Sequence, residues 1–300
     1  MIDVKRLGHL TLRSPDPSRQ AAYYTSALGL DIVESEGGRF VLATRTGLEA
    51  IVLEKGDRAG VARLAFQVAP GTDLGELSSR LSKQGIASER RRDITPGVRE
   101  SIALQDAEGR QIDLYADYAF APESFADSAI AVRKLGHVAF HTTDLAKTIA
   151  FYRDVLGFRL SDQRSDFFAF LRCSRDHHTL NFVQVGGHAG VHHLAFELRD
   201  EAEINRACDS FARRSIKLSW GPLRHIIGHN IAIYHKNPDD LTVECFCDLD
   251  VMHDEALNYF EPRPWHQDRP QRPKIWDNDT PTNYWGPDFG HGKIGPKPRS

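Results

Sequence analysis

An internal duplication constrains this chain more than any other feature of its sequence. The segment LGHLTLRSPDPSRQAAYYTSALGL, residues 7–30, has a near-copy in LGHVAFHTTDLAKTIAFYRDVLGF, residues 135–158. At a shift of 128 positions, these residues of the first copy meet an identical residue in the second: Leu7, Gly8, His9, Asp16, Ala22, Tyr24, Leu28 and Gly29. Two copies are too few for a solenoid, so the sequence indicates a duplicated module.

Two further segment pairs extend the duplication along the chain. VARLAFQV at residues 61–68 matches VHHLAFEL at residues 191–198. EGRQIDLYAD at residues 108–117 matches DDLTVECFCD at residues 239–248. The order of the segments is kept, and the shifts between copies grow only slightly, as small loop insertions produce.

The sequence of each module predicts an α+β fold with the same order of elements. In the second copy a short strand, GHVAF, precedes an amphipathic helix from Leu145 to Leu156, which Asp144 can cap and Gly157 can end. Three strands follow, and the strand VHHLAFEL then leads into a second helix near residues 200–215 and further strands. The sequence therefore predicts two tandem modules, each made of paired β-α-β-β-β repeats that form curved mixed sheets.

The predicted boundaries are residues 1–118 for the first module, 119–133 for a connection, 134–252 for the second module and 253–300 for a tail. The tail is rich in Pro, Gly, Trp and Asn, and such residues disfavour helix and sheet interiors. Its large aromatic residues nevertheless include Trp265, Trp276, Tyr284 and Trp285. These favour a tail packed over the body or over a neighbouring subunit rather than a free end.

Composition limits the partners of the chain. A formal net charge of −3 argues against a polyanionic partner such as nucleic acid. No stretch of the sequence approaches the length of a membrane span, and none resembles a signal peptide. The cysteines lack a Cys-x-x-Cys framework, and Cys245 and Cys247 alternate on an apolar strand as core thiols do. We expect a protein of the reducing cytoplasm.

Two histidines and a glutamate lie on three of the predicted strands of the second module. Successive side chains of a strand point to opposite faces, so Leu135 and Ala139 share the face of His137. In the same way, His193 and Glu244 lie on the faces opposite the apolar faces of their own strands. A single strand histidine is commonly a hydrogen-bonded core residue, and a strand glutamate can pair with an arginine. Three such residues together favour a cation site, because a buried carboxylate without a partner costs several kcal/mol.

Two imidazoles and one carboxylate with open positions form the 2-His-1-carboxylate ligand set of non-haem Fe(II) oxygenases. At the positions of His137, His193 and Glu244 the first module has His9, Arg63 and Asp113. An arginine beside the ligands would repel a metal ion. We therefore expect a metal site inside the second module and a metal-free first module.

The segment RHIIGHNIAIYHKNPDDLTVE, residues 224–244, resembles the signature of type I extradiol ring-cleaving dioxygenases in the vicinal-oxygen-chelate superfamily. The signature is carried here by these residues: His225, Ile233, Tyr234, Asn237, Pro238 and Glu244. The sequence departs from it at Leu223, where a small or β-branched residue is usual, and at Asp240, where Gly or Pro is usual. The resemblance covers roughly residues 5–250.

This resemblance implies a function and a set of site residues. It implies that Fe(II), with Mn(II) as an alternative, is bound by His137, His193 and Glu244. It places the acid–base histidine of the family at His178 and its substrate-binding histidine and tyrosine at His225 and Tyr234. The implied reaction is extradiol cleavage of a catechol by O2, which gives a product of the 2-hydroxymuconic semialdehyde class.

The substrate is less defined than the reaction. Arg224 could bind a carboxylate, but the apolar character of Trp220 and of the tail favours a neutral alkyl-, halo- or aryl-substituted catechol. The alternatives are another enzyme of the superfamily, such as a glyoxalase or thiol transferase, and a non-catalytic protein that binds an aromatic ligand. The tail aromatics and the duplicated sheets also predict a homo-oligomer, a tetramer or larger.

Overall fold

A computed structural model describes residues 2–124 and 128–288 of the chain. In the first module, two helices and eight strands follow one another in this order: β1 (Val4–Ser14), α1 (Pro17–Leu28), β2 (Asp31–Glu36), β3 (Arg39–Ala43), β4 (Glu49–Lys55), β5 (Gly60–Val68), α2 (Leu74–Lys83), β6 (Glu89–Thr95), β7 (Val98–Gln105) and β8 (Gln111–Tyr115). This is the β-α-β-β-β unit twice over.

The second module repeats the same order of elements. Its helices and strands are β9 (Lys134–Thr142), α3 (Leu145–Ala150), β10 (Arg159–Arg164), β11 (Phe168–Arg172), β12 (Leu180–Gln184), β13 (Gly190–Glu197), α4 (Glu201–Arg213), β14 (Leu218–Arg224), β15 (Ile231–Lys236) and β16 (Thr242–Cys247). A π-helical turn, Phe151–Val155, continues α3. The helix predicted from Leu145 to Leu156 is present, with a change of winding after its second turn.

The two sheets also share one topology. The first runs β2-β3-β4-β1-β5-β8-β7-β6, and the second contains β10-β11-β12-β9-β13-β16-β15-β14 in the corresponding order. In each unit the first strand pairs parallel with the fourth, as β9 does with β12 and β13 with β16, and the other neighbours are antiparallel. The predicted α+β fold of two tandem modules with mixed sheets is confirmed.

Equivalent residues begin and end the first helix of each module. The carboxylates of Asp16 and Asp144 accept a hydrogen bond from the backbone N–H three residues later, at 3.0 and 2.9 Å. Gly29 and Gly157 follow in the left-handed region, with φ of +68° and +78°, a conformation that favours glycine. The sequence identity at these positions therefore reflects a shared scaffold.

The apolar faces of the strands form a buried core that extends through both modules. From the second module it includes Val138, Phe140, Leu194, Phe196, Val243 and Cys245. Leu135 belongs to this core as well, although strict alternation placed it on the face of His137. The reason is a register shift between β9 and β13, where Ala195 pairs with His137 but Phe196 pairs with Leu135.

The tail adds short strands at the edges of the second module: β17 (Met252–Asp254), β18 (Tyr259–Phe260) and β19 (Lys274–Trp276). β19 pairs in parallel with β10 and so extends the second sheet. The tail is packed over the body as predicted as far as residue 288, but Tyr284 and Trp285 are about half exposed rather than buried anchors.

Residues 289–300 of the predicted tail and 125–127 of the predicted connection lie outside the described residues. The module boundaries at 118, 133 and 252 stay a prediction. Within residues 2–124 and 128–288, no helix has both the length and the apolar character needed to cross a bilayer.

Candidate active site

The six predicted site residues all line one cavity of about 400 Å³ in the second module. They come from strands at the centre of the sheet and from the segments that border them: His137, His178, His193, His225, Tyr234 and Glu244. Pro281 and Thr282 of the tail line the same cavity. The fold thus brings together residues that are separated by more than one hundred positions in the sequence.

Three of these side chains meet at their polar atoms. His137 Nε2 and His193 Nε2 each lie 3.1 Å from Glu244 Oε2, and the two nitrogens lie 3.2 Å apart. All three residues are at least nine-tenths buried. Among the described residues, these two imidazoles are the only basic side chains within ion-pair distance of the Glu244 carboxylate.

The donor set fits a divalent metal ion. Bonds of about 2.0–2.2 Å from a metal to nitrogen and oxygen, arranged at right angles, place neighbouring ligand atoms about 3 Å apart. Burial lowers the pKa of His137, which keeps its imidazole neutral and able to bind a metal. Burial opposes ionisation of Glu244, but the contacts with His137 and His193 outweigh it and hold its pKa well below the usual range.

Two further residues orient these groups, and neither was predicted from the sequence. The Asn230 amide donates to Glu244 Oε1 at 2.9 Å, which leaves Oε2 for the two histidines. His192 Nδ1 lies 2.7 Å from His193 Nδ1. Burial lowers the pKa of His192 to about 3, and its neutral ring can accept the Nδ1 proton that His193 must carry when its Nε2 binds a metal ion.

His178 belongs to a chain of buried polar groups. Asp162 Oδ2 accepts from His177 Nε2 at 3.0 Å, and His177 Nδ1 lies 2.9 Å from His178 Nδ1. A carboxylate only accepts hydrogen bonds, so neutral His177 carries its proton on Nε2 and its Nδ1 accepts from His178. His178 thus keeps Nε2 unprotonated. Burial, followed by the neighbouring histidines, lowers the pKa of His178 well below its usual value.

His225 and Tyr234 form a hydrogen-bonded pair at the cavity. His225 Nδ1 donates to the Thr282 carbonyl at 2.9 Å, so its Nε2 accepts from the Tyr234 hydroxyl at 2.7 Å. Burial raises the pKa of Tyr234 well above its usual value, and the nearby Glu244 carboxylate adds to this effect. The phenol therefore remains a donor at neutral pH. The role of Thr282 had no signal in the sequence, because a backbone carbonyl is available at every residue.

A second cluster of possible ligands lies nearby. His229 Nδ1 and His266 Nε2 contact the two oxygens of Asp250 at 2.7 and 3.0 Å, and all three residues are buried. Burial opposes ionisation of Asp250, but these hydrogen bonds outweigh it and lower its pKa to about 2. Each oxygen already accepts an N–H, so these hydrogen bonds hold His266 of the tail against the second module beside the site.

In the first module, the position of Glu244 is occupied by Asp113, which is paired with arginines. Arg91 Nη1 donates to Asp113 Oδ2 at 2.7 Å, and Arg63 Nη1 lies 3.7 Å from Oδ1. The registers of the two sheets support the equivalence, because Ala65 pairs with Asp113 as Ala195 pairs with Glu244.

The chain is similar in sequence and in fold to known proteins. An iron-dependent extradiol dioxygenase of Rhodococcus jostii (strain RHA1) is 24% identical, with 97% of this chain and 99% of that protein covered. The solved 2,3-dioxygenase LapB from Pseudomonas sp. KL28 matches with a TM-score of 0.78 at 22% identity, over 92% of this chain and 98% of that one.

The Mn(II)-bound glyoxalase from Novosphingobium aromaticivorans matches with a TM-score of 0.83 at 20% identity, over 100% of this chain and 96% of that one. The family model of the Glyoxalase/Bleomycin resistance protein/Dioxygenase superfamily matches residues 6–114 and 134–245. Since this match includes both modules and most of the sequence, the chain belongs to the Glyoxalase/Bleomycin resistance protein/Dioxygenase superfamily.

Proposed function

We propose that this protein is an extradiol dioxygenase that cleaves a catechol-type ring with O2 at a non-haem Fe(II) centre. One observation carries the proposal: the ligand atoms of His137, His193 and Glu244 form a triangle with sides of 3.1–3.2 Å, beside His178 and Tyr234 in one cavity. The similarity to the Rhodococcus relative, an iron-dependent extradiol dioxygenase, supports the same reaction.

His137, His193 and Glu244 would hold the metal ion. Ferrous iron bound there would lower the pKa of the catechol hydroxyls and activate O2. The two imidazoles are neutral and the carboxylate carries one negative charge, so the protein neutralises only half of a divalent charge. An anionic, deprotonated catechol is therefore favoured in the remaining space.

His178 acts as the acid–base group. Its Nδ1 donates to His177, so the unprotonated Nε2 can accept a proton from a catechol hydroxyl in the cavity. Asp162 stabilises this arrangement by accepting from His177 at the other end of the chain. The proton held on His178 Nε2 can return to an oxygen of the product.

His225 and Tyr234 orient the substrate. The tail carbonyl of Thr282 fixes the proton of His225 on Nδ1, which leaves Nε2 to accept a hydrogen bond from a diol hydroxyl or from Tyr234. Tyr234 keeps its proton and can donate to a substrate oxygen that carries negative charge. Phe168, Phe170 and Trp220 form apolar parts of the cavity wall that limit access of water to the ring.

The experiment that tests this proposal uses the full chain, loaded anaerobically with Fe(II) and mixed in air with catechol and 3-substituted catechols. We expect a yellow ring-opened product and one O2 consumed per substrate. A parallel sample loaded with Mn(II) identifies the metal that supports turnover. Bound iron without colour or oxygen uptake across the panel would overturn the proposal. Isomerisation of a thiol adduct by the same sample would instead favour a glyoxalase-type enzyme.

The homo-oligomer also stays a proposal. The half-exposed side chains of Tyr284 and Trp285 support it, because large aromatic residues are frequent at subunit interfaces. Sedimentation of the full chain should give a mass of at least four subunits, and a monomeric mass at micromolar concentration would contradict it.

A further inference from the structure

A buried arginine lies in the wall of the same cavity. Arg164 ends strand β10, opposite Phe168 of β11, and only 7% of its surface is exposed. It lines the cavity together with the proposed metal ligands and with Phe168 and Phe170. The proposed reaction gives this residue no role.

The guanidinium of Arg164 has few partners. Nη2 donates to the Asn278 carbonyl at 2.8 Å, and the guanidinium lies over the ring of Phe167, 5.5 Å from its centroid. Nε and Nη1 have neither a hydrogen-bond partner nor appreciable accessible surface. Among the ion pairs of residues 2–124 and 128–288, none includes Arg164. Burial lowers the pKa of this guanidinium, and the more distant Asp279 and Asp288 only partly offset the effect.

Two other buried arginines of the second module are each paired with a carboxylate, as buried arginines usually are. Arg172 donates to Glu255 at 2.9 Å and to the Leu160 carbonyl at 3.0 Å. Arg224 pairs with Asp248 at 3.0 Å. A buried charge with unpaired N–H groups is costly, so the contrast marks Arg164 as a residue whose partner comes from outside the chain.

The position of Arg164 determines which part of a ligand it can reach. A row of aromatic rings connects it with the metal ligands: the centroids of Phe168 and Phe170 are 4.3 Å apart, those of Phe170 and His178 5.4 Å, and those of His178 and His137 4.3 Å. Arg164 on β10 is three strand spacings of about 4.8 Å from His137 on β9, so this row spans roughly 14 Å between their backbones.

We propose that the substrate carries a carboxylate on an arm that extends along Phe170 and Phe168, and that Arg164 binds this carboxylate by turning its unpaired N–H groups from the cavity wall toward it. The inference rests on the proposed ring-cleavage function and narrows its substrate class. The sequence favoured a catechol with a neutral substituent and offered Arg224 as the arginine that could bind a carboxylate. The inference replaces the neutral substituent with a carboxylate and Arg224 with Arg164. Arg224 instead lies over Trp265, 4.1 Å from the ring centroid, and is paired with Asp248.

The first test compares matched substrates. Dihydroxyphenyl-alkanoates with two to five methylene groups are paired with alkylcatechols of equal length, and the ratio of their kcat/KM values is measured with the Fe(II)-loaded enzyme. We expect the wild-type protein to favour the acids, and Arg164→Gln to lower the ratio by about 30- to 100-fold, as the loss of hydrogen bonds to a charged group predicts. The change should be found mainly in KM, because Arg164 is remote from the diol. A ratio that does not change in Arg164→Gln would overturn the proposal.

The second test separates the carboxylate site from the chemistry. Phenylalkanoates of the same lengths, which lack the diol, are titrated calorimetrically into the metal-free full chain. We expect binding that weakens by at least about 10-fold in Arg164→Gln and recovers in part in Arg164→Lys, which keeps the charge. Arg164-dependent binding without ring cleavage of any catechol would support the carboxylate site and refute the proposed reaction. Cleavage of catechols with no preference for the acids would do the reverse.

Lys236 provides the matched control. It lines the cavity too, but its ammonium group already donates to the Asp240 carbonyl at 2.9 Å. Lys236→Gln removes the same charge from the cavity lining and should change the ratio of acid to neutral substrate less than about 3-fold. An equal loss of selectivity in Lys236→Gln and Arg164→Gln would show a general effect of cavity charge and would contradict a specific site at Arg164.

Discussion

The two modules bury a carboxylate at the same place in the same sheet and balance its charge in different ways. In the first module, Asp113 on β8 is paired with Arg63 and Arg91, which the chain itself supplies. In the second, Glu244 on β16 faces two imidazoles. Two arginines balance the charge of Asp113 without a metal ion, whereas two imidazoles can bind a metal ion together with the carboxylate of Glu244.

The comparison teaches that the duplicated scaffold does not by itself make a metal site. His9 and His137 occupy equivalent positions, both follow a glycine, and both are almost fully buried. Two differences separate the modules. Arg63 on β5 stands where the second module has His193 on β13, and Arg91 on β6 provides a second arginine beside the carboxylate. Each prediction below tests one of these equivalences.

The largest expected effect is on metal binding. Glu244→Gln removes the anionic ligand, so we expect Fe(II) affinity to fall by at least about 100-fold and ring cleavage to be lost with it. Asp113→Asn is the matched variant in the first module and should retain the metal content of the wild-type protein. The measurement is metal content after gel filtration, with affinity from anaerobic calorimetry. Equal metal loss in both variants would show that the first module holds part of the site.

The second expected effect is on stability without metal, and its size should differ between the modules. Asp113→Asn leaves Arg63 and Arg91 without their anion. These arginines are about 30% exposed and can turn to solvent, so we expect a loss of about 1–3 kcal/mol in the free energy of unfolding. Glu244→Gln removes a fully buried carboxylate that His137 and His193 stabilise even without metal, and these imidazoles cannot turn to solvent, so we expect a larger loss of about 3–5 kcal/mol. Urea unfolding of the metal-free proteins measures both, and a smaller loss in Glu244→Gln than in Asp113→Asn would contradict the stabilisation of Glu244 by the two imidazoles.

The third expected effect concerns the glycines of the repeated LGH segment. A Cβ at Gly8 would overlap the Tyr115 side chain, and one at Gly136 would overlap the ring of Phe246. Phe246 lies against His137, with 5.0 Å between the ring centroids. We expect Gly8→Ala and Gly136→Ala each to cost about 1–3 kcal/mol, but only Gly136→Ala to weaken metal binding. Thermal unfolding and iron titration of both variants distinguish these effects, and unchanged iron affinity in Gly136→Ala would show that Phe246 does not position His137.

Much of the fold was predictable from local signals. The Asp144 cap, the stop at Gly157 and the alternation around Val138 and Leu194 depend on nearby residues, and the duplication allowed one copy to check the other. The position of Leu135 was predicted wrongly, because the register shift beside Gly136 depends on pairing with β13 and not on the sequence of β9.

The site was only partly predictable. The family signature predicted residues now found together, such as His225, Tyr234 and Glu244. It did not identify Asn230 or Arg164, because their roles arise from strand pairing and from the path of the tail. A hydrogen bond to Glu244 and an unpaired guanidinium in a cavity are properties of the assembled molecule, and neither residue stands in a pattern that distinguishes it from other polar residues.

The last expected effect is the pH dependence that His9 gives to stability. Burial, followed by the charges of Arg39, Arg6 and Arg91, lowers the pKa of His9 to about 3. An unfolded histidine has a pKa near 6.5, so between about pH 6.5 and pH 3 the unfolded chain binds a proton that the folded protein excludes. Stability is therefore lost as the pH falls through this range, by up to about 1.4 kcal/mol per pH unit.

The variant His9→Gln removes this titration and keeps a polar side chain at the position. Its free energy of unfolding should fall less steeply than that of the wild-type protein between pH 6.5 and 4.5, whatever the difference at neutral pH. The measurement is urea unfolding of both metal-free proteins at several pH values in this range. Parallel curves would mean that the folded protein protonates His9 as readily as the unfolded chain does. The first module would then tolerate a charged histidine beside Arg6, Arg39 and Arg91.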